Sequence, residues 1–425
     1  MKISMKLYPA IEHSPCDIPI ESFSEIKEIF FRQKEGEKCL ELKGNQDNVK
    51  LYTNYYVGVD WLKKNVSAIY VAPKLNEETK ETNYFQMLFS CMKHSEIAGY
   101  SKDLYEIKFD EPYIEINQKQ DLITPLLMIR FLQVLKSVVR KGLKKSYYRV
   151  EQNLSSKIKG KVLVSKTLKQ NILKNRPNKT ICNFEVYGID SIENKILKSA
   201  LKFVEVYLAK YRQFADYFLP LLSFCKPAFY EVDDSNFDLH LIKQTKINTF
   251  FKEYKEAIDL AEMIIKRFGF NLKEIDEKVV SVPPFWIDMP KLFELYVLGL
   301  LKDQYGSKIH FQVKGNYGEP DFLLITESEK MVIDTKYKRI YQNNDEYKNR
   351  FNSNDIRQIS GYARDKKILQ CFGYSNEEMQ NVVVDCLIIY PDQSCSFEKL
   401  PEDLKVHPID QFIKFYKMPV KLPTI

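Results

Sequence analysis

Three side chains suited to phosphate chemistry occur close together in the sequence. Asp321 follows Pro320, and Asp334 and Lys336 stand two positions apart. Two converging carboxylates attract a hard divalent cation, for which Mg²⁺ is the usual choice. Such a metal lowers the pKa of a bound water, and a lysine can orient or deprotonate that water and offset developing negative charge. A turn aspartate beside a surface ion pair gives the same short pattern, so both interpretations stand at this point.

Two predicted strands bring these three side chains together. The apolar runs Asp321–Ile325 and Met331–Lys336 flank a short turn and predict a β-hairpin. Asp321 opens the first strand, whereas Asp334 and Lys336 close the second, so the two ends lie side by side. Residues 334 and 336 are two apart on a strand and therefore project from one face of it.

Helices around the hairpin carry three further polar residues. The first predicted helix of this region is Lys291–Lys302, and the second runs from Asp355 to about Asp365. Three predicted strands lie between them, at Lys308–Val313, Asp321–Ile325 and Met331–Lys336, and a fourth follows at Val382–Tyr390. Glu294 on the first helix is in reach of the same metal. Gln358 and Tyr362 are four apart on the second helix and share a face, as they also would on any amphipathic helix. The order of elements predicts an α/β core.

Changes of periodicity divide the chain into three predicted domains. Residues 1–125 alternate short apolar runs with turns and predict a β-rich N-terminal domain for partner contact. Residues 126–282 open with a helical apolar stripe and continue as a basic and helical middle region for partner or DNA contact. Residues 283–425 begin at a Pro-Pro pair and hold the α/β core. The fold class predicted is therefore multidomain α+β and α/β.

Positive charge is concentrated in one segment of the middle region. Residues 136–180 contain fourteen Lys and Arg and one acidic residue, a net charge of +13, against +7 for the whole chain. Such a segment suits a phosphate backbone, which attracts cations whatever its sequence. A solvated basic face, or a surface for an acidic protein, gives the same pattern. The lysines assigned to nucleic-acid or partner contact are Lys157, Lys159, Lys161, Lys166 and Lys169.

Composition and short motifs exclude several classes of protein. With 425 residues, 44% hydrophobic and 28% charged, the chain is neither disordered nor collagen-like. No apolar run approaches the ~18 residues of a membrane helix, and the N-terminus lacks a signal peptide's apolar stretch, so we expect a soluble cytoplasmic protein with no membrane contact. The eight cysteines form no C-x-x-C pair, which favours reduced thiols over a zinc site.

No nucleotide-binding loop of the form G-x-x-x-x-G-K-[ST] is found in the sequence. Gly160-Lys161 comes nearest, but Ser155 stands where the first glycine belongs and Val162 replaces the hydroxyl residue. We therefore expect that this chain binds no nucleotide itself, and that any nucleotide-driven motor is a separate polypeptide.

Taken together, the motifs resemble a known group of nucleases. The order Glu294, Pro320-Asp321, Asp334-x-Lys336 and Gln358-x-x-x-Tyr362 resembles the PD-(D/E)xK nuclease superfamily. Segments across most of the chain are similar to the McrC family, the nuclease subunit of McrBC 5-methylcytosine restriction systems. These are Tyr56-Val57-Gly58-Val59, Pro73-Lys74, Arg140-Lys141-Gly142-Leu143, Tyr147 or Tyr148, Asn153-Leu154, Ile158-Lys159-Gly160-Lys161, Asn194-Lys195-Ile196-Leu197, Pro290 to Val297 and Asp334 to Lys338.

The resemblance implies a specific fold and activity. It implies a mixed sheet flanked by helices in residues 283–425, and Mg²⁺-dependent DNA cleavage in which Mn²⁺ substitutes for Mg²⁺. By transfer, Asp321 and Asp334 bind the metal, Glu294 is an extra ligand, and Lys336 assists the attacking water. Gln358 and Tyr362 would support the site or touch the DNA backbone.

The resemblance also implies partners. These are a McrB-like AAA+ GTPase that this chain stimulates, and modified double-stranded DNA that the GTPase recognises. Two other functions fit the same residues: a non-catalytic adaptor that activates an AAA+ NTPase, and a stand-alone structure-specific nuclease. The sequence leaves open the modified base, the recognition sequence, the stoichiometry, and whether the partner uses GTP or ATP.

Overall fold

A computed structural model describes residues 5–16, 18, 28–44, 50–75, 82–92, 94, 100, 103–108, 110–117, 123–210, 215–233, 252–267, 279–338, 352–395 and 399–424. The chain divides into two units. The first unit joins residues 1–115 to residues 281–425, and the second comprises residues 116–280. Several sheets and many helices make this a mixed α/β protein. Among the described helices, none is long and apolar enough to span a membrane. The three-domain division drawn from the sequence stays a prediction.

The N-terminal part of the first unit is rich in β-structure, as its short apolar runs predict. Its elements are β1 (Lys6–Ile11), β2 (Ile29–Phe30), β3 (Lys38–Lys43), β4 (Lys50–Thr53), β5 (Tyr56–Lys63), β6 (Ser67–Ala72), α1 (Tyr84–Met92) and β7 (Tyr105–Ile107). β1 pairs in parallel with β6, and β6 is antiparallel to β5. β2, β3 and β4 form a second, antiparallel sheet. Buried side chains of both sheets, including Leu40, Leu51, Ile69 and Val71, share one core.

The second unit combines helices with a small antiparallel sheet. The elements that follow along the chain are β8 (Ile114–Asn117), α2 (Ile123–Lys141), β9 (Ser146–Ser155), β10 (Lys161–Val162), α3 (Val164–Gln170), β11 (Lys179–Gly188), α4 (Ile192–Lys210), α5 (Ala215–Cys225), α6 (Lys252–Arg267) and β12 (Val279–Val282). Of these, β8 and β12 cross the boundaries of the unit. The predicted apolar stripes lie on α2, α4 and α6, which pack on one another. β11 pairs with β9 along its length and with β10 over two residues. The strand predicted after Gly160 is this short because α3 begins at Val164.

The C-terminal part of the first unit contains the predicted α/β core. Its elements are β13 (Phe285–Asp288), α7 (Met289–Tyr305), β14 (Ile309–Phe311), β15 (Phe322–Ile325), β16 (Lys330–Thr335), α8 (Ser353–Tyr362), α9 (Lys366–Cys371), β17 (Asp385–Pro391), β18 (His407–Pro408) and β19 (Phe415–Val420). One sheet has the strand order β14-β15-β16-β17-β19-β18. β14, β15 and β16 are antiparallel, whereas β16, β17 and β19 run parallel. The predicted hairpin is thus confirmed, and helical structure precedes strand β17.

The helix predicted from Asp355 to about Asp365 is divided into two. α8 ends at Tyr362, and α9 begins after Asp365, whose carboxylate accepts a hydrogen bond from the Lys367 backbone N–H at 2.8 Å. An aspartate that caps the next helix has extended backbone angles and therefore interrupts the first helix. Both helices pack on one sheet face, where Leu323, Val332 and Ile388 are buried.

Strand β13 connects the two chain segments of the first unit. It lies between β5 and β7 in the N-terminal sheet, antiparallel to both. The indole N–H of buried Trp286 donates to Asp60 Oδ2 at 2.8 Å, and Lys108 Nζ donates to the same oxygen at 2.7 Å. Asp288 ends the strand and caps α7 by accepting from the Lys291 backbone N–H at 3.0 Å. The N-terminal sheet therefore fixes the start of α7.

Close backbone contact at this strand requires a glycine. Gly58 has φ +153°, and a Cβ atom there would lie 2.0 Å from the Phe285 carbonyl oxygen. We expect Gly58→Ala to lower the free energy of unfolding by about 1–3 kcal/mol from backbone strain alone, with the clash adding to the loss. Gly361→Ala is the matched control, because a Cβ meets nothing within 4 Å there. Thermal unfolding of both variants checks this, and equal midpoints would contradict it.

Candidate functional site

The β15–β16 hairpin places Asp321 beside the end of β16. Asp321 Oδ2 accepts hydrogen bonds from the Thr335 backbone N–H at 2.7 Å and from Thr335 Oγ1 at 2.6 Å. Asp334 occupies the last buried position of β16, paired with Ile388 in β17. The backbone N–H of Lys336 donates to the Ile389 carbonyl at 2.9 Å, which continues the strand direction. The structure therefore brings together the three residues predicted to be catalytic.

Lys336 connects the strand to helix α8. Its ammonium forms an ion pair with Asp334 Oδ2 and donates to Gln358 Oε1 at 3.0 Å. Gln358 Nε2 in turn donates to the Tyr362 hydroxyl at 2.9 Å. The four side chains form a continuous polar chain that runs from the strand across one face of α8. Gln358 and Tyr362 thus lie where the sequence predicted supporting residues.

Glu294 approaches the same carboxylates from α7. Lys291 Nζ lies 3.2 Å and 3.3 Å from the two Glu294 oxygens, and Gln312 Nε2 donates to Oε1 at 3.3 Å. The charge of Asp321 contributes to the pKa shift of Glu294, so the two carboxyls are close enough to interact. Lys291 lies in the Pro290 to Val297 segment but is not among the predicted site residues. Its place one helical turn before Glu294 is the signal that identifies it.

Burial and mutual repulsion change the acidity of these carboxyls. Burial first, and then the charge of Asp321, raise the pKa of Glu294 from 4.5 to about 7. The same two causes raise the pKa of Asp334 from 3.8 to about 7, against the opposing effect of Lys336. Burial also raises the pKa of Asp321, although hydrogen bonds from Thr335 oppose this. Near neutral pH the three carboxyls therefore carry fewer than three negative charges.

Lys336 keeps its proton in this setting. Burial lowers the pKa of its ammonium, but the charges of Asp334 and Asp321 outweigh burial and leave the pKa above its usual 10.5. A protonated lysine donates hydrogen bonds and offsets negative charge, whereas it cannot take a proton from water. Of the two roles that the sequence leaves open for Lys336, this geometry favours orienting water and stabilising charge.

The three carboxyl groups are of a chemical type that binds hard cations. Asp321, Asp334 and Glu294 supply carboxylate oxygens, the ligands that Mg²⁺ takes in proteins. Burial raises the pKa of all three carboxyls, and the charge of Asp321 adds to the shift at Glu294 and Asp334; a divalent cation would offset that charge. Over the residues that the structure describes, however, no group of three or more His, Cys, Asp or Glu side chains is placed so that it could hold a metal ion. The assignment of these residues as metal ligands stays a prediction.

A second lysine, Lys74, contacts the backbone just beyond Lys336. Lys74 Nζ donates to the Tyr337 carbonyl at 3.0 Å and lies 3.2 Å from the buried carboxylate of Glu12. The same ammonium lies over the rings of Tyr337 and Tyr55, at 4.2 Å and 4.4 Å from their centroids. The Pro73-Lys74 and Tyr337 motifs of the sequence thus meet in space. The N-terminal part of the first unit thereby contacts the strand end that carries Lys336.

Lys338 is held by a different acid. Its ammonium donates to both oxygens of buried Asp355 in α8, at 2.9 Å and 3.0 Å. Lys336 and Lys338 therefore both connect β16 to α8, one through Gln358 and one through an ion pair. Sequence reasoning named Asp355 only as the start of a helix, and the ion pair depends on the tertiary fold.

The five lysines predicted to contact nucleic acid or a partner lie in the second unit, around β10 and α3. All five are exposed, and Lys166 forms an ion pair with Glu151 at 2.6 Å. Large apolar side chains are exposed in the same segment: Ile158, Val164, Leu168, Ile172 and Leu173. Helix α3 buries none of its residues. We call residues 157–174 the basic–apolar module, because cations and apolar side chains alternate along it.

Comparisons with known proteins identify a family and several related structures. The family model described as "McrBC 5-methylcytosine restriction system component" matches residues 51–371. A search of curated proteins gives no match. One similar chain belongs to the refined half-complex of the tetradecameric assembly of Thermococcus gammatolerans McrB AAA+ hexamers with bound McrC. It is 16% identical, with a TM-score of 0.40 over 98% of this chain and 94% of that chain. Another, in the cryo-EM structure of the Thermococcus gammatolerans McrBC complex, is 15% identical, with a TM-score of 0.29 over 70% of this chain and 87% of that chain.

The carboxyl cluster of Glu294, Asp321 and Asp334 makes the free energy of unfolding depend on pH in the metal-free protein. A carboxyl with a raised pKa stabilises the fold at low pH, and that contribution is lost as pH rises through the folded-state pKa. For Asp334 and Glu294 the loss extends from about pH 4 to about pH 7. In a chelating buffer we expect Asp334→Asn to unfold at a higher temperature than the wild type above pH 7, and with a smaller pH dependence.

The control is Glu327→Gln, at the exposed turn of the same hairpin. Thermal unfolding of the three proteins across this pH range makes the comparison. If Asp334→Asn and Glu327→Gln gave curves that both run parallel to the wild type, the carboxyl cluster would not be the source of the dependence.

Proposed function

This chain belongs to the family of McrBC 5-methylcytosine restriction system components, and on that premise we propose that it is the subunit that cuts DNA. The reaction is metal-dependent hydrolysis of phosphodiester bonds. The observation that carries the proposal is the meeting of Asp321, Asp334 and protonated Lys336 at one end of the β15–β16 hairpin, with Glu294 near enough for the charge of Asp321 to act on it. Carboxylates beside an ammonium form a site for a hard cation and an anionic substrate.

Each residue has a role that follows from its contacts. Thr335 fixes the orientation of Asp321 through two hydrogen bonds to one oxygen. Asp321, Asp334 and Glu294 would hold Mg²⁺, or Mn²⁺ in its place. The bound ion supplies an activated water and offsets charge on the phosphate. Lys336, held by Asp334 and Gln358, donates toward the water and the developing negative charge.

The same proposal extends to the fold of this part of the first unit. The sheet β14-β15-β16-β17-β19-β18 has α8 and α9 on one face, and α7 contacts β14 and β16. A mixed sheet flanked by helices, with acidic residues and a lysine at the ends of a hairpin, is the arrangement expected of a PD-(D/E)xK nuclease. Gln358 and Tyr362 support the lysine from α8.

The proposed partners are a McrB-like AAA+ GTPase and modified double-stranded DNA. The sequence contains no nucleotide-binding loop, so a separate polypeptide is needed for nucleotide hydrolysis. The basic–apolar module favours a protein partner, because phosphate contact needs cations but not exposed side chains such as Leu168 and Leu173. We propose that this module contacts the GTPase and stimulates it.

Removal of one carboxylate tests the nuclease assignment. We expect Asp334→Asn to lower plasmid cleavage in Mg²⁺ by at least about a hundredfold, because it removes both a metal ligand and the partner of Lys336. Cleavage is measured with this chain co-purified with its AAA+ partner, in GTP or ATP, on methylated and unmethylated plasmid. Glu327→Gln, on the same hairpin, serves as the control and should cut like the wild type.

Two outcomes would replace this function with another. Equal stimulation of the partner NTPase by wild type and Asp334→Asn, without cleavage by either, would identify an adaptor. Rapid cleavage by the isolated chain without nucleotide would identify a stand-alone nuclease.

Substitutions in the basic–apolar module separate partner contact from DNA contact. We expect Leu168→Ser with Leu173→Ser to weaken stimulation of the GTPase by about tenfold, since both side chains would be buried against a partner. Lys157→Gln with Lys159→Gln and Lys161→Gln should flatten the salt dependence of the same interaction. GTPase rates are measured against chain concentration at several salt concentrations. Full stimulation by the leucine variant would remove the module from the partner interface.

A further inference from the structure

A cleft opens next to the carboxyl site, on the exposed side of α8. Its volume is ≈ 680 Å³. The lining residues on which the argument depends are Tyr317, Arg357, Gln358, Tyr362, Arg364 and Lys366. Gln358 and Tyr362 belong at once to this cleft and to the polar chain that reaches Lys336. A molecule bound in the cleft would therefore extend directly to the proposed catalytic residues.

Hydrogen bonds within the chain hold the loop that forms one wall of the cleft. Asn316 donates through its backbone N–H and its side chain to the two oxygens of Asp365, at 2.6 Å and 2.8 Å. The Gly315 N–H donates to the Gly318 carbonyl at 2.8 Å, which closes the turn. Several backbone N–H donors keep the pKa of Asp365 below its usual value despite partial burial, so this acid stays charged.

Both glycines of this loop are required by close approach. At Gly318, with φ +137°, a Cβ would lie 2.8 Å from the Tyr362 ring. At Gly315 a Cβ would lie 2.9 Å from both Asp365 and the Gly318 carbonyl. The loop is therefore packed tightly on the α8–α9 region rather than projecting freely, although it leads directly to Pro320 and Asp321.

Tyr317 stands at the tip of this fixed loop with its side chain almost wholly in water. Its relative exposure is 97%, the largest of the exposed apolar and aromatic residues in the described part of the chain. A solvated aromatic ring gains free energy when another flat surface covers it. Because the loop is already ordered, binding there costs little conformational entropy. The Tyr317 ring is thus available for another flat group to stack on it.

Cations line the opposite side of the cleft. Arg357 and Lys366 are exposed, and neither forms an ion pair with any residue that the structure describes. Arg364 is exposed as well and donates to the Ser360 carbonyl at 3.2 Å. The one acid of the lining, Asp365, is occupied by the backbone and side-chain donors described above. The cleft thus offers unpaired positive charge beside an exposed aromatic ring.

We propose that this cleft binds one strand of DNA next to the scissile bond, with its phosphates on Arg357 and Lys366 and a base stacked on Tyr317. The inference rests on the proposed nuclease function and names the part of the substrate that lies beside the site. Cations that track a backbone, combined with an aromatic side chain that stacks on a base, are the two features by which proteins hold single strands. Gln358 lines the same cleft as Arg357 and contacts Lys336, so a strand in the cleft would lead to the carboxylates.

Binding of labelled DNA tests the cleft independently of cleavage. In the full chain carrying Asp334→Asn, we expect Tyr317→Ala to weaken binding of a fluorescein-labelled single-stranded oligonucleotide about tenfold. Tyr317→Phe should restore the affinity, since it keeps the stacking ring. Arg357→Gln with Lys366→Gln should weaken binding and lower the slope of log affinity against log salt by about 1.4, about 0.7 for each phosphate contact on a single strand. Lys308→Gln, an exposed cation outside the cleft, is the matched control.

The results separate failure of the cleft from failure of the nuclease assignment. Equal affinity and salt slope in all these variants would overturn the cleft, even if the wild type cuts plasmid in an Asp334-dependent manner. Loss of binding in the Tyr317 and Arg357 variants, without any Asp334-dependent cleavage, would support the cleft and overturn the nuclease. Tighter binding of an RNA oligonucleotide of the same sequence than of DNA would overturn the assignment to DNA.

Discussion

Burial of carboxyls near the end of the β15–β16 hairpin, to which the charge of Asp321 adds repulsion, is the constraint on which the arrangement around it depends. Glu294, Asp321 and Asp334 are withdrawn from water, and each has a pKa above its usual value. Groups of like charge separate unless the backbone holds them or opposite charges lie between them. The structure uses both means, because two strands and a capped helix fix the carboxyls, and Lys291 and Lys336 lie against them.

This constraint explains why both chain segments of the first unit serve one site. The N-terminal sheet takes in β13, and the residue that ends β13, Asp288, caps α7 and so fixes the position of Glu294. Lys74 holds the carbonyl of Tyr337, the residue after Lys336. The far side is held from α8 through Gln358 and Asp355. A cluster of buried charge is therefore supported from three directions, as a preorganised site requires.

The second unit presents a surface of different character. Its basic–apolar module exposes lysines and leucines together, whereas the cleft beside α8 combines cations with one aromatic ring. Exposed aliphatic side chains gain from burial against protein, and a ring with cations gains from a nucleic-acid strand. The two surfaces therefore suit different macromolecules. This difference supports a division in which one unit contacts the partner and the other contacts the substrate.

The sequence by itself determined the local elements around the carboxyl cluster. Alternating apolar residues before Asp334 and helical spacing around Gln358 predicted the hairpin and the helix that the structure contains, because such periodicities reflect which face is buried. Only the tertiary structure decided the ion pair of Lys338 with Asp355, the hydrogen bond from Lys74 to the Tyr337 carbonyl, and the exposure of the Tyr317 ring. Lys74 and Tyr337 are far apart in the chain, so their contact depends on how whole sheets pack, and periodicity carries no information about that. The raised pKa values likewise depend on burial and on distances between segments, which a linear pattern does not contain.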